Sequence, residues 1–108
     1  MAYDERLAAR VRALLASRAD VSERKMFGGL TFMVGGNMCC GVNGDELIVR
    51  LDPRHEGDAV ARPHARPMDF TGRRMRGFIT VHPDGLTGSQ LDRWVHEAVA
   101  RTESLPPQ

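Results

Sequence analysis

At 108 residues, with 42% hydrophobic and 27% charged side chains, the chain has the size of one domain and enough apolar content for a core without disulfide staples. Those fractions exclude a low-charge membrane protein and a highly charged disordered one. Fifteen basic and fourteen acidic residues leave a net charge of +1, which excludes a nucleic-acid footprint spread over the whole domain but leaves room for a local basic patch.

The first element reads as a helix from Asp4 to Arg18. Leu7, Val11, Leu14 and Leu15 fall on one face of a 3.6-residue period, and Asp4 and Glu5 sit at the positive end of the helix dipole. From Ser22 the pattern becomes short runs cut by glycine pairs. Arg24–Phe27 reads as a strand that continues, after a bulge or bend at Gly28-Gly29, into Leu30–Val34. Gly35-Gly36 turns the chain into Met38–Val42, and Asn43-Gly44 turns it again into Asp45–Leu51. Asn-Gly is a strong hairpin signal because both central residues of a type I′ turn need positive φ. A two-residue loop there sets Val42 beside Asp45 and Cys40 beside Leu47, with Cys39 facing the other side.

Asp52-Pro53 has the form of a helix cap and first position, and Pro63 ends the short helix it opens. Pro67–Phe70 reads as an edge strand, since proline cannot donate to a ladder. Thr71-Gly72 turns the chain into a strand over Met75–His82. Thr87 and Gln90 then have capping-box spacing, with Leu86 and Leu91 as a hydrophobic staple. Leu91, Trp94, Val95, Ala98 and Val99 form the apolar stripe of a last helix. The order predicts an α+β domain over residues 1–108: an antiparallel sheet of hairpins with the N- and C-terminal helices on one face. Phe32, Cys39, Ile48 and Phe78 are expected on the other, uncovered face, where a partner or a second copy would dock.

No run approaches the ~20 apolar residues that span a bilayer, and no leader is read at the N-terminus. Two free thiols, the neighbours Cys39 and Cys40, fit a reducing cytoplasm. Metal sites want spaced ligand pairs. Adjacent cysteines, His55 with His64, and His82 with His96 do not supply them, so no metal and no cofactor is expected. Nothing places a carboxylate or nucleophile beside any of the four histidines, so no catalytic residue is assigned. The Gly28-Gly29 and Gly35-Gly36 pairs match neither phosphate-binding glycine motif. Arg62, Arg66, Arg73, Arg74 and Arg76 against the single Asp69 give a local excess of four positive charges. That segment, with Phe70 and Phe78 for stacking, is the one nucleic-acid hint. Met26, Met33, Met38, Met68 and Met75 all fall in predicted strands, where flexible thioethers fill a core or adapt to a partner.

Arg24-Lys25-Met26-Phe27-Gly28-Gly29-Leu30-Thr31-Phe32-Met33, Gly36-Asn37-Met38 and Asp45-Glu46-Leu47-Ile48-Val49-Arg50-Leu51-Asp52 resemble the TfoX/Sxy N-terminal-domain family. Arg66-Pro67-Met68-Asp69-Phe70-Thr71-Gly72-Arg73 and Met75-Arg76-Gly77-Phe78 are similar to its small stand-alone members. The resemblance implies an α+β unit like the secretion-chaperone fold. It implies no catalytic residues, and Met26, Phe27, Gly28 and Gly29 carry over as structural positions only. Longer relatives regulate natural competence, acting with the cyclic-AMP receptor protein, and carry a second helical domain for which no segment is read here.

The expectation is a non-enzymatic cytoplasmic regulatory or protein-interaction module. Phe32, Ile48 and Phe78 would contact a protein partner or a second copy in a homodimer. The alternative is a nucleic-acid-binding accessory using Arg66, Arg73, Arg74 and Arg76. A third reading, an enzyme, would need a cleft gathering His82, Cys39 or Asp69.

Overall fold

The structure, a computed structural model, describes residues 3–26, 28–70 and 73–107, and the backbone only of residues 69, 70, 73 and 74. Helix α1 (Glu5–Leu14) is started by Asp4, whose carboxylate accepts the N–H groups of Arg6 at 2.9 Å and Leu7 at 3.2 Å. It stops short of the expected Arg18, which instead bonds Asp20 and Glu103. Six strands follow in chain order: β1 (Val21–Met26), β2 (Gly29–Val34), β3 (Asn37–Asn43), β4 (Glu46–Arg50), β5 (Ala65–Phe70) and β6 (Arg73–Val81). Helix α2 (Glu56–Val60) precedes β5 and helix α3 (Gln90–Glu103) ends the fold. The strands form one antiparallel sheet in the order β1-β2-β3-β4-β6-β5. Among the described residues no helix is long and apolar enough to cross a membrane.

Two turns depart from the expectation. Met26 pairs with Gly29, so the chain reverses at the first glycine pair instead of running on as one bent strand. Phe27 lies outside the described residues. Gly29 lies so close to β3 that a Cβ there would sit 2.1 Å from the carbonyl oxygen of Val42. At the β3–β4 turn Asn43 pairs with Glu46, so Gly44 and Asp45 are the loop, one residue later than expected. Only Gly44 takes a positive φ, which is the type II′ pattern and not type I′. Cys40 therefore faces Val49 and not Leu47. The capping box also differs. The Thr87 hydroxyl meets the Gln90 side-chain oxygen at 3.1 Å, and α3 begins at Gln90 with Ser89 at its cap. The Thr71-Gly72 turn lies outside the described residues.

The helices cover one face of the sheet. Leu7, Ala8, Val11 and Leu15 from the first helical segment pack with Leu91, Trp94, Val95 and Ala98 of α3 on Leu30, Val34, Val42, Leu47, Val49, Ile79 and Val81. Phe32 belongs to this core and is 0% exposed, with the Arg12 guanidinium 6.0 Å from its ring centre. Its expected place on the uncovered face is thus corrected. Alternation puts Phe32 with its strand neighbours Leu30 and Val34, on the helix side.

Cys39 also turns to the helix side. Phe32 pairs with Cys40, and the next residue, Met33, pairs with Met38. Cys39 is the extra residue of a β-bulge, which breaks the alternation and puts both thiols in the same core.

Candidate functional site

The other face of the sheet carries a second cluster, separate from the helix-covered core. Met33, Met38, Ile48 and Met68 are buried in it, and Met26, Met75 and Phe78 pack against it half-buried. It contains every methionine among the described residues and no helical residue. Strand alternation puts Met26, Met33, Met38 and Ile48 there. Met68 follows by alternation from Arg66 on β5, and Met75 arrives by a different route. Between the pairs Pro67–Ile79 and Asp69–Arg74, β5 has one residue and β6 has four. The extra residues bend the hairpin. Gly77 absorbs the bend at φ +83, its carbonyl accepts the N–H of Leu51 at 2.7 Å, and its own N–H reaches the buried Glu56 carboxylate at 3.2 Å. A Cβ at Gly77 would stand 2.7 Å from the Leu51 carbonyl oxygen, so the bend requires glycine.

The expected bare face is therefore partly closed. Ile48 is on it, as anticipated, but is only 5% exposed. The accessible apolar surface is the rim made by Met26, Met75 and Phe78. Phe78 is half-buried, with the Arg50 guanidinium 5.4 Å from its ring centre. Arg24 alternates onto this face with Met26, and Arg76 is exposed between Met75 and Phe78. Burial, and then the nearby Arg101, lower the Arg50 pKa. Glu46, on the same face, is engaged by Arg66 through two bonds of 2.6 and 2.8 Å, which hold its carboxyl below the usual range. Among the described residues Arg24, Arg50 and Arg76 face no carboxylate partner. Among the described residues the rim is apolar and carries the positive charges of Arg24, Arg50 and Arg76.

The arginines of the basic segment do not form one surface. Arg66 is spent on Glu46, and Arg62 bonds Glu97 at 2.7 Å while lying 3.5 Å over the Trp94 ring. The side chains of Arg73 and Arg74, like those of Asp69 and Phe70, lie outside the described residues. Arg76 is exposed.

Cys39 and Cys40 are 0% exposed, and the Cys40 thiol is pushed well up by its hydrogen bond with Cys39 and by burial. All four histidines are exposed. His82, at the surface, is therefore not gathered with Cys39, in the core. A groove of about 650 Å³ runs between α1 and α3, lined by Leu14, Arg18, Arg93, Val95, His96 and Val99. The structure also brings His64, His82 and Asp84 together, which sequence spacing did not suggest. The signal was the pairing of Ala65 with Val81, which places the two histidines at the same end of one hairpin.

A family model of the TfoX N-terminal domain matches residues 13–102. The chain belongs to the TfoX N-terminal domain family. The match spans both faces of the sheet and most of α3, and the six-stranded antiparallel sheet with its helices agrees with it. No curated protein matches the chain.

Proposed function

We propose that this TfoX N-terminal domain is a non-enzymatic regulatory module of the reducing cytoplasm that docks a protein partner on its methionine-lined sheet face. The observation that carries this reading is the gathering of Met26, Met33, Met38, Met68 and Met75 on the face away from the helices. Unbranched thioether side chains repack at low cost, which suits a surface that accepts a partner. Phe78 and the rim methionines supply apolar contact area, and Arg24, Arg50 and Arg76 supply charge. That combination favours a partner segment bearing acidic and apolar side chains. A second copy docked about a two-fold axis would set arginine against arginine, which costs affinity. The two buried thiols fit the compartment.

The test places a photo-crosslinking residue at Met26 or at Phe78, with Arg93 on the helix side as control, in cells that make the protein natively. The expected result is one protein adduct from both sheet-face positions and none from Arg93, competed away by unlabelled chain. Equal labelling from Arg93, or adducts only with the chain itself, would refute docking of a separate partner on this face.

A further inference from the structure

We infer that His64, His82 and Asp84 form a surface site for a divalent transition-metal ion of the zinc type. His64 immediately precedes β5 and His82 immediately follows β6. The His82 N–H donates to the His64 carbonyl at 2.8 Å, extending the hairpin ladder by one rung and fixing the roots of both side chains. Asp84 follows in the 3-10 turn Pro83–Gly85. One ligand atom from each of the three residues lies within 4.8 Å of the other two. The imidazole rings are 6.0 Å apart at an interplanar angle of 31°.

Three details make this more than a chance cluster. First, His64 is the one described non-glycine residue at positive φ, 68°. Such backbone costs energy outside glycine, and strained positions gather at functional sites. Second, Gly85 packs directly behind His64. A Cβ there would be 2.9 Å from the His64 Cβ, so the missing side chain lets the imidazole stand where it does. Third, the His82 Nδ1 accepts the Asp84 N–H at 3.1 Å. A neutral ring bonded in this way carries its proton on Nε2 and keeps the Nδ1 lone pair on the Asp84 side. The Asp84 Oδ2 lies 3.6 Å from that Nδ1. Two ligands at zinc–ligand distances of ~2 Å in tetrahedral geometry stand roughly 3.3 Å apart. An ion bound at Nδ1 takes the place of the Asp84 N–H, so the ring turns from that amide toward Oδ2 and leaves the N–H to water.

The donor set selects the ion. Two imidazoles and one carboxylate suit zinc and its neighbours, whereas magnesium and calcium favour all-oxygen sites. Three protein ligands leave a position for water or an incoming ligand, as in open zinc sites. The three side chains are exposed, so side-chain rotation is the movement that closes the remaining gap to His64.

The test uses the full chain without a histidine tag, stripped with chelator and titrated with zinc chloride by calorimetry. Cobalt absorption provides the spectroscopic check. One zinc per chain is expected, with a cobalt band of four-coordinate character. His64→Gly, His82→Gln and Asp84→Asn are each expected to weaken binding at least about tenfold, while His55→Gln and His96→Gln leave it unchanged. His64→Gly separates a lost ligand from a lost fold, because glycine favours the left-handed backbone already present and the metal-free chain should melt no lower than wild type. Absence of saturable zinc binding, or stoichiometric binding that survives in the His64→Gly, His82→Gln double variant, would overturn the site.

Discussion

Phe32 and Phe78 lie on opposite faces of the same sheet, and truncating each to alanine separates a structural face from a docking face. Phe32 is 0% exposed in the helix-covered core, among the largest side chains buried so fully. Phe→Ala at such a site loses the transfer energy of the ring and leaves a cavity, about 3–5 kcal/mol together. For a domain near 100 residues, each kcal/mol moves the melting temperature by roughly 4–8 °C. Phe32→Ala is therefore expected to melt at least about 12 °C lower. Phe78 is half-buried and sits under the Arg50 guanidinium. Its truncation forgoes part of a burial term and one cation–π contact, about 1–2 kcal/mol, or some 4–16 °C. Thermal unfolding followed by circular dichroism measures both. Crosslinking from Met26 then measures docking at a temperature where both variants are folded. Phe78→Ala is expected to lose the adduct and Phe32→Ala to keep it. A Phe32→Ala variant that melts like wild type, or that alone loses the adduct, would show that the faces are assigned the wrong way round.

Two further outcomes test local geometry and charge. Gly29→Ala brings a Cβ to 2.1 Å from the Val42 carbonyl oxygen, so β2 and β3 must part, at about 2–4 kcal/mol for overpacking and a weakened hydrogen bond. Gly28→Ala meets nothing within 4 Å and bears only the left-handed strain of φ +76, about 1–2 kcal/mol. Urea midpoints should rank Gly29→Ala below Gly28→Ala, and the reverse order would contradict the strand approach. The Arg66–Glu46 pair holds the Glu46 carboxyl below its ordinary 4.5 in the fold. As pH falls, the unfolded chain takes up that proton first, so the pair stabilises fully above about pH 4.5 and its contribution disappears on acidification through the folded value. Arg66 is half-exposed, which limits the pair to about 0.5–1 kcal/mol. The difference between wild type and Arg66→Gln in urea should shrink from pH 7 to pH 3, and a difference that grows on acidification would refute the pair.

Much of the fold was legible because its signals are local. Asp52 sits at the cap the sequence suggested, Asp4 and Glu5 stand at the start of α1, and the stripe of Leu91, Trp94, Val95 and Ala98 is buried as its spacing required. What escaped prediction depends on events that are not local. Nothing in Met38-Cys39-Cys40 announces that Cys39 is an extra residue, yet that bulge decides which face its thiol takes. The bend at Gly77 is equally silent in sequence, and it brings Met75 onto the face of Ile48. The His64–His82 contact needs the full β5–β6 register, because only pairing across a hairpin makes distant residues neighbours. Phe32 is different. Its side was readable from Leu30 and Val34, and bulk drew attention away from parity.

The same strands dress their two faces differently, and that contrast bears on function. Toward the helices they present Val34, Val42, Val49, Ile79 and Val81, β-branched residues that favour strands and pack stiffly. Toward the other side they present Met26, Met33, Met38, Met68 and Met75, which are unbranched and give up that stiffness. A core needing only a fixed filling would gain from branched residues on both faces, since the backbone is identical for both. Stiff packing where the helices dock and adaptable packing on the opposite side is what a sheet needs when one face builds the domain and the other repacks against an incoming segment.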